Sequence, residues 1–150
     1  MKLPAFDIRP YVGALPIKFG TEKTAIPALL GFPPKINKSD TDLFSSVRIA
    51  YYNTGRVVEI GFAPRDITLC FEGTPIWSDE RILDPIPLFL RQDENPVEIF
   101  GFLVFLKLGI TCTGFHDDDE GQRAITVFQR GHWDKMISDA KQPDLSRYQK

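Results

Sequence analysis

Residues 47–62 read VRIAYYNTGRVVEIGF and contain the clearest sign of secondary structure in the chain. β-Branched and aromatic residues, which favour extended strands, fill both ends of this stretch. Asn53-Thr54-Gly55 lies between the two ends. Asn and Gly accept the positive φ that a tight hairpin turn requires, here at Asn53 and Gly55. The pattern predicts two antiparallel strands, Val47 to Tyr52 and Arg56 to Phe62, joined at that turn.

Similar β-rich runs occur in the rest of the chain. A third strand is expected from Ile67 to Phe71, after a turn at Ala63 to Asp66. In the second half, three such runs follow one another, at Gly101 to Leu106, Ile110 to Phe115 and Ala124 to Gln129. Short strands at this spacing predict an antiparallel meander in each half.

Each meander is preceded by the motif Ile-Pro-x-x-Leu, at Ile26–Leu30 and Ile86–Leu90. Proline is tolerated in the first turn of a helix, where backbone N–H groups have no intrahelical partner. Thr24 and Asp84 precede the prolines at the position where a side-chain oxygen caps a helix N-terminus. We therefore expect two helices of roughly two or three turns, the first of which ends at Gly31.

The order of these elements is the same in the two halves. Gly61-Phe62 aligns with Gly114-Phe115, and Arg65 to Leu69 aligns with Arg123 to Val127. An internal duplication accounts for several matches in the same order. The predicted fold is α+β, in which two tandem helix-plus-three-strand repeats form an antiparallel sheet with both helices on one face.

The length of the chain, 150 residues, and its 43% hydrophobic content fit one globular domain over residues 1–150. Repeat one is expected at about 15–77 and repeat two at about 78–134. The segment 138–150 lacks apolar periodicity, so we expect a C-terminal tail that frays.

Charge and hydropathy exclude several classes of protein. A formal net charge of −2 argues against a broad nucleic-acid or membrane surface. The longest apolar run, Ile99 to Leu106, is far shorter than the roughly 20 residues of a membrane span. The first residues contain no apolar signal sequence, so we expect a cytoplasmic protein with Cys70 and Cys112 as free thiols.

The densest polar feature is the run Asp117-Asp118-Asp119-Glu120, between two predicted strands. Carboxylates bind calcium and magnesium, but this run lacks the alternating ligand spacing of a calcium loop. We therefore predict no metal site and no cofactor. A solvated hairpin loop and an acidic patch for a partner both account for the run, and these four residues are the candidate partner-binding residues.

One histidine lies in a setting that suits acid–base chemistry. His132 is part of Arg130-Gly131-His132-Trp133-Asp134, in which Asp134 is placed to orient the imidazole. Cys112 is a candidate nucleophile for the same base. Packing of Trp133 against the sheet and burial of Cys112 in the core are the favoured explanations of these residues, so we assign no catalytic residue.

Four stretches carry turn glycines and core positions in a recognisable arrangement. They are PIKFG at 16–20 with LLGFP at 29–33, YYNTGRVV at 51–58, KLGI at 107–110 and ITVFQRGHWD at 125–134. Together they resemble a family of small bacterial cytoplasmic proteins. Thr21 stands where that family has methionine, and Pro27 lies inside the first helix.

The resemblance implies a two-repeat α+β fold and a function as an immunity protein, since many such proteins look like neutralisers of bacterial toxins. No catalytic residue carries over. The expected function is non-enzymatic: binding a protein partner, a cognate toxin, and occluding its active site. Two alternatives stay open, a small enzyme or ligand-binding protein with a sheet cleft near His132 and Asp134, and a scaffold that pairs with itself through a sheet edge.

Overall fold

A computed structural model describes residues 2–149. Within these residues the chain is mostly β-structure, and helix is limited to two five-residue segments, α1 (Ile26–Leu30) and α2 (Ile86–Leu90). Single 3₁₀ turns occur at Lys23–Ala25, Glu120–Gln122 and Ser146–Tyr148, with a longer 3₁₀ segment at Asp134–Asp139. The strands are β1 (Phe6–Arg9), β2 (Gly13–Leu15), β3 (Ile17–Lys18), β4 (Ile36–Asn37), β5 (Thr41–Phe44), β6 (Val47–Ala50), β7 (Glu59–Phe62), β8 (Leu69–Phe71), β9 (Thr74–Trp77), β10 (Val97–Ile99), β11 (Phe102–Phe105), β12 (Ile110–Thr113) and β13 (Ala124–Phe128).

The strands form two sheets. The larger has eight strands in the order β10-β11-β12-β13-β7-β6-β5-β4, and each neighbouring pair is antiparallel. Two four-stranded meanders, β4 to β7 and β10 to β13, meet in it where β13 pairs with β7. The smaller sheet has five strands in the order β3-β2-β1-β8-β9, and its β1–β8 pair is parallel.

The predicted fold class is wrong, because the molecule is built from two sheets and not from tandem helix-plus-three-strand repeats. The third strand of the first predicted repeat, β8, leaves the first meander and pairs with β1 in the smaller sheet. The strand beside β7 in the larger sheet is β13. The alignment of Arg65–Leu69 with Arg123–Val127 therefore matches strands that belong to different sheets.

The predicted strands themselves are largely present. β6 and β7 form the antiparallel pair predicted within residues 47–62, and β11, β12 and β13 form the meander predicted in the second half. The turn differs from the prediction, since Tyr52 and Gly55, and not Asn53, have positive φ, at 51° and 71°. β1 to β5, β9 and β10 were not expected.

Both helices are shorter than predicted. Gly31 ends α1 as expected, with φ at 91°, and its N–H donates to the Pro27 carbonyl at 2.8 Å. Thr24 does not cap this helix, whose N-terminus receives no side-chain hydrogen bond from any described residue. Asp84 does act at the start of α2, where its Oδ1 accepts a hydrogen bond from the Ile86 N–H at 3.0 Å.

The core lies where the two sheets and the two helices meet. Phe6 of β1 packs against Phe62 of β7, with ring centroids 5.2 Å apart. Phe89 of α2 contacts Phe71 of the smaller sheet and Phe105 of the larger, at 5.0 and 5.5 Å. These aromatic contacts join every layer of the molecule into one apolar cluster.

The C-terminal segment, for which we expected a fraying tail, makes defined contacts over its described residues; Lys150, like Met1, lies outside them. Lys141 exchanges two backbone hydrogen bonds with Glu98 of β10, at 2.8 and 2.9 Å. The Arg147 guanidinium donates to the Phe115 carbonyl at 2.8 Å, and the Tyr148 hydroxyl donates to Asp84 at 2.5 Å. These contacts hold the segment against the larger sheet and α2.

None of the helices among residues 2–149 is long and apolar enough to cross a membrane.

Two phenylalanines test the core. Phe62 and Phe115 are buried, with 1% and 4% exposure, so Phe62→Ala and Phe115→Ala should each lower the free energy of unfolding by about 3–5 kcal/mol. Denaturant unfolding measures the change, and Phe100→Ala, at 69% exposure, is the matched control that should cost well under about 1 kcal/mol. A loss below about 1 kcal/mol for both buried positions would contradict this core.

Candidate functional site

The two faces of the larger sheet differ because side chains alternate along each strand. Ile60 and Phe62 of β7 point into the core, so Glu59 and Gly61 lie on the opposite face, which we call the outer face. The segment after β13 covers part of it: Trp133 packs against Phe128 and Phe102, with ring centroids 5.9 and 5.6 Å away. A second, smaller apolar cluster thus forms over the β10–β13 half of the outer face.

A group of four polar and aromatic side chains lies beside this covered part, and we call it the Glu59 cluster: Arg48, Tyr52, Glu59 and His132. The Arg48 guanidinium Nη1 lies 3.0 Å from Glu59 Oε2, and the Tyr52 hydroxyl donates to the same oxygen at 3.3 Å. His132 Nε2 lies 3.4 Å from the other oxygen, Oε1. The Tyr52 and His132 rings stack, with centroids 5.4 Å apart.

Three separate parts of the chain build this cluster. Arg48 comes from β6, Glu59 from β7, and His132 from the segment that carries Trp133. Because Trp133 is packed into the small apolar cluster, the neighbouring His132 is held over the sheet. The carboxylate of Glu59 lies between a guanidinium and an imidazole, so both its oxygens have partners.

The pKa of Glu59 reflects these contacts. Burial opposes ionisation of the carboxyl, but hydrogen bonds and charge interactions with His132 and Arg48 outweigh burial, and the pKa is lowered from its ordinary value of 4.5. Burial and the Glu59 charge raise the pKa of the Tyr52 phenol. Glu59 is therefore a buried anion that orients an imidazole, an arrangement capable of acid–base chemistry.

The predicted partner of His132 is thus incorrect. The structure places Glu59, and not Asp134, against the imidazole. Asp134 is exposed and begins the 3₁₀ segment Asp134–Asp139. Trp133 packs against the sheet, which is the structural interpretation given above for the segment 130–134.

Sequence reasoning missed Glu59, although a signal for it was present. Arg48 and Glu59 are opposite charges on the two strands of the predicted hairpin, and both belong to the face opposite Ile49 and Ile60. Opposite charges on neighbouring strands stabilise each other across a sheet. The contribution of His132 had no local signal, because it comes from a distant segment.

Cys112 has no part in this site. It is fully buried on the core face of β12, and burial raises the pKa of its thiol well above the ordinary value. His132 lies on the outer face, so the sheet separates it from the thiol that was considered as a nucleophile. Cys70 and Cys112 are both free thiols, as expected.

The acidic loop, Asp117 to Glu120, lies between β12 and β13, and all four side chains are exposed. Its base is fixed by two contacts: the Thr113 hydroxyl donates to the Gln122 carbonyl at 2.7 Å, and Gly114 approaches Arg123 so closely that a Cβ would lie 2.5 Å from its backbone nitrogen. The loop is therefore anchored to the sheet while its carboxylates face solvent.

Arg123 is the basic side chain nearest to these carboxylates. Its guanidinium nitrogens lie 3.7 Å from Asp118 and 3.8 Å from Glu120, beyond hydrogen-bonding distance. The neighbouring His116 is turned inward, 3.5 Å from Glu98. Exposed ion pairs of this kind contribute little to stability. The four acidic side chains of the loop are exposed and therefore accessible to a partner.

The pH dependence of stability tests the Glu59 cluster. A lowered pKa in the folded state means that ionised Glu59 stabilises the fold above its ordinary value of 4.5, and that this contribution is lost as the pH falls through the lower folded-state pKa. Glu59→Gln should therefore lose less stability than the parent chain between pH 5 and pH 3, measured by denaturant unfolding. Glu94→Gln, which removes an exposed carboxyl, serves as the control; equal pH dependence of all three proteins would contradict the ion pairing.

Chelation tests the acidic loop. In the part of the chain that the structure describes, no group of three or more His, Cys, Asp and Glu side chains is arranged to hold a metal ion. We expect EDTA to leave the melting temperature unchanged, because no ligand set closes around a cation. A drop of several degrees that calcium or zinc restores would overturn this expectation.

The chain matches no protein-family model, no curated protein and no solved structure at a significant level of similarity. The resemblance of its motifs at 16–33, 51–58, 107–110 and 125–134 to small bacterial proteins therefore stays a prediction.

Proposed function

We propose that this chain is a non-enzymatic, protein-binding protein of the immunity type, which neutralises a bacterial toxin by covering its active site. The partner is then a cognate toxin, and the cytoplasm is the compartment, where the free thiols stay reduced. The observation that carries the proposal is the acidic loop, whose four carboxylates project from an anchored position on a rigid sheet. Loops held in this way commonly carry recognition.

The charge of the loop suits a basic partner. The Asp118 and Glu120 side chains are 74% and 87% exposed, so a partner meets them without displacing packed groups. Charge complementarity of this kind raises the rate of association and selects the partner. Occlusion of an active site requires a contact of about 800 Å² on each side, so the loop would be one part of a larger interface.

A second candidate function rests on His132. Its imidazole is oriented by the buried Glu59 carboxylate at 3.4 Å and stacks on Tyr52. This geometry favours a small enzyme or ligand-binding protein that uses the outer face near His132. It is the weaker proposal, since the contacts of His132 with Glu59 and Tyr52 also serve to hold the 129–134 segment on the sheet.

Partner isolation tests the first proposal. The tagged full chain, expressed in its native host, should co-purify with one protein in stoichiometric amount. That protein should arrest growth when expressed alone and should lose its activity in the complex. A partner that keeps its activity in the complex, or the absence of any stoichiometric partner, would contradict the proposal.

Two variants separate the loop from the histidine. Replacing the four loop residues together (Asp117→Asn, Asp118→Asn, Asp119→Asn and Glu120→Gln) should leave the fold intact and slow association with the toxin. The effect should be larger at low salt, where the Debye length is longest. His132→Gln should leave neutralisation unchanged, whereas loss of function with His132→Gln alone would favour the second candidate.

A further inference from the structure

A groove of about 280 Å³ lies on the outer face of the larger sheet, and we call it the Gly61 groove. Its floor contains Gly61 of β7 and Thr126 of β13, which lie opposite each other in the sheet. Leu43 of β5 and Ala124 of β13 add apolar surface to its lining. Because these residues belong to neighbouring strands from β5 to β13, the sheet itself fixes the shape of the groove.

Gly61 keeps the floor of the groove open. It lies within β7 and pairs in regular register with Arg48 on one side and Thr126 on the other, without a bulge. Its φ is outside the left-handed region, and a Cβ built on it would come no nearer than 3.4 Å to Thr126 Oγ1, so the backbone does not require glycine here. Glycine inside a strand weakens a sheet and often marks a place where a ligand approaches the backbone closely.

The charged side chains at this groove are basic. Arg48 and Arg65 line it, and no acidic side chain among residues 2–149 does. Arg65 is exposed and takes part in none of the ion pairs within the described chain. Glu59 engages Nη1 of Arg48 at 3.0 Å, but a guanidinium has several N–H donors, so Arg48 keeps donors for a further acceptor.

A buried hydroxyl at the same groove lacks a partner. Ser46, directly before β6, lines the groove and is 6% exposed, and its Oγ has no hydrogen-bond partner within the described part of the chain. An unpaired buried polar group costs free energy, so an acceptor oxygen from a ligand at this end of the groove is favourable. The two arginines and the hydroxyl thus favour the same kind of ligand group, an anion with oxygen acceptors.

We infer that the Gly61 groove binds a small organic acid, a carboxylate on a short aliphatic stem. Its carboxylate accepts hydrogen bonds from Arg48 and Arg65, since guanidinium groups match the geometry of carboxylates. Its stem packs on Leu43 and Ala124, over the space that Gly61 leaves open. The inference goes beyond the proposed function and is independent of it, because none of the four acidic loop residues lines the groove.

The probe is pentanoate, titrated at pH 7 into the ¹⁵N-labelled full chain and followed by NMR. Its match is pentanamide, which keeps the size and the stem and removes the charge. Shifts should concentrate on the backbone amides of Gly61, Ala63, Arg65 and Thr126. Pentanamide should bind at least about threefold more weakly, because it forms no ion pair with the arginines. Inorganic phosphate, which has charge but no stem, should also bind more weakly than pentanoate.

Variants complete the test. Arg65→Gln should weaken pentanoate binding by about threefold or more and leave pentanamide binding unchanged, since only the acid is charged. Arg91→Gln removes another exposed arginine from a different surface and is the matched control that should change neither. Gly61→Val fills the floor of the groove and should remove the binding of both probes. Gly61→Ala, whose Cβ makes only ordinary contacts, should weaken both probes and decides the question if the valine variant unfolds.

Equal affinity for pentanoate and pentanamide would overturn the inference, and so would equal effects of Arg65→Gln and Arg91→Gln. Unchanged binding to a folded Gly61→Ala variant would show that the probe lies elsewhere. Phosphate binding as tight as that of pentanoate would show an anion patch that ignores the stem, and the inference would be wrong. The titration involves no toxin, so its failure and the failure of the proposed function are distinguishable.

Discussion

The ladder between β7 and β13 holds the two halves of the larger sheet together. In this ladder Ile125 lies opposite Phe62, and Phe128 lies opposite Glu59. β7 is the last strand of the first meander and β13 the last strand of the second, so their pairing joins the two meanders. On one face this ladder buries Ile60, Phe62, Ile125 and Val127 in the core. On the other face it brings Glu59 next to the segment that follows β13. The core and the outer-face cluster are thus two sides of the same strand pairing.

The polar chemistry of the molecule follows from this alternation. Glu59 is carried on a strand whose neighbouring residues are needed in the core, so its carboxylate is fixed relative to the sheet. Trp133 supplies apolar packing for the segment after β13, and this packing holds His132 against Glu59. The acidic loop is placed differently, since it leaves the sheet at Gly114 and returns at Arg123. The Glu59 cluster is therefore rigid and half-buried, whereas the acidic loop is anchored at its base and open to water.

Local patterns predicted about half of the described strands, and they did not predict how the strands divide between two sheets. Alternation and turn residues are properties of neighbouring residues, and they located β6, β7, β11, β12 and β13. The choice of partner strand depends on distant residues. Leu69-Cys70-Phe71 is apolar enough to suit either sheet, and its pairing with β1, far away in the sequence, places it in the smaller one. The same limit applies to the candidate site, where the acidic loop is a single run in the sequence but His132 and Glu59 meet only after folding.

The parallel pairing of β1 with β8 has a consequence for how the chain folds. Between these strands lie β2 to β7, a large part of the first half of the molecule, so the loop that their contact closes is long. Closing a long loop costs entropy before any contact repays it, and chains dominated by such distant contacts fold slowly. Phe6 and Ile8 of β1 therefore complete their burial only after Leu69 and Phe71 of β8 pair with them. Before that pairing, their apolar side chains are accessible to other chains. For this protein the β1–β8 pairing is the contact of the smaller sheet expected to form late, and an incomplete chain exposes the unpaired edge of β1 to aggregation until β8 is available.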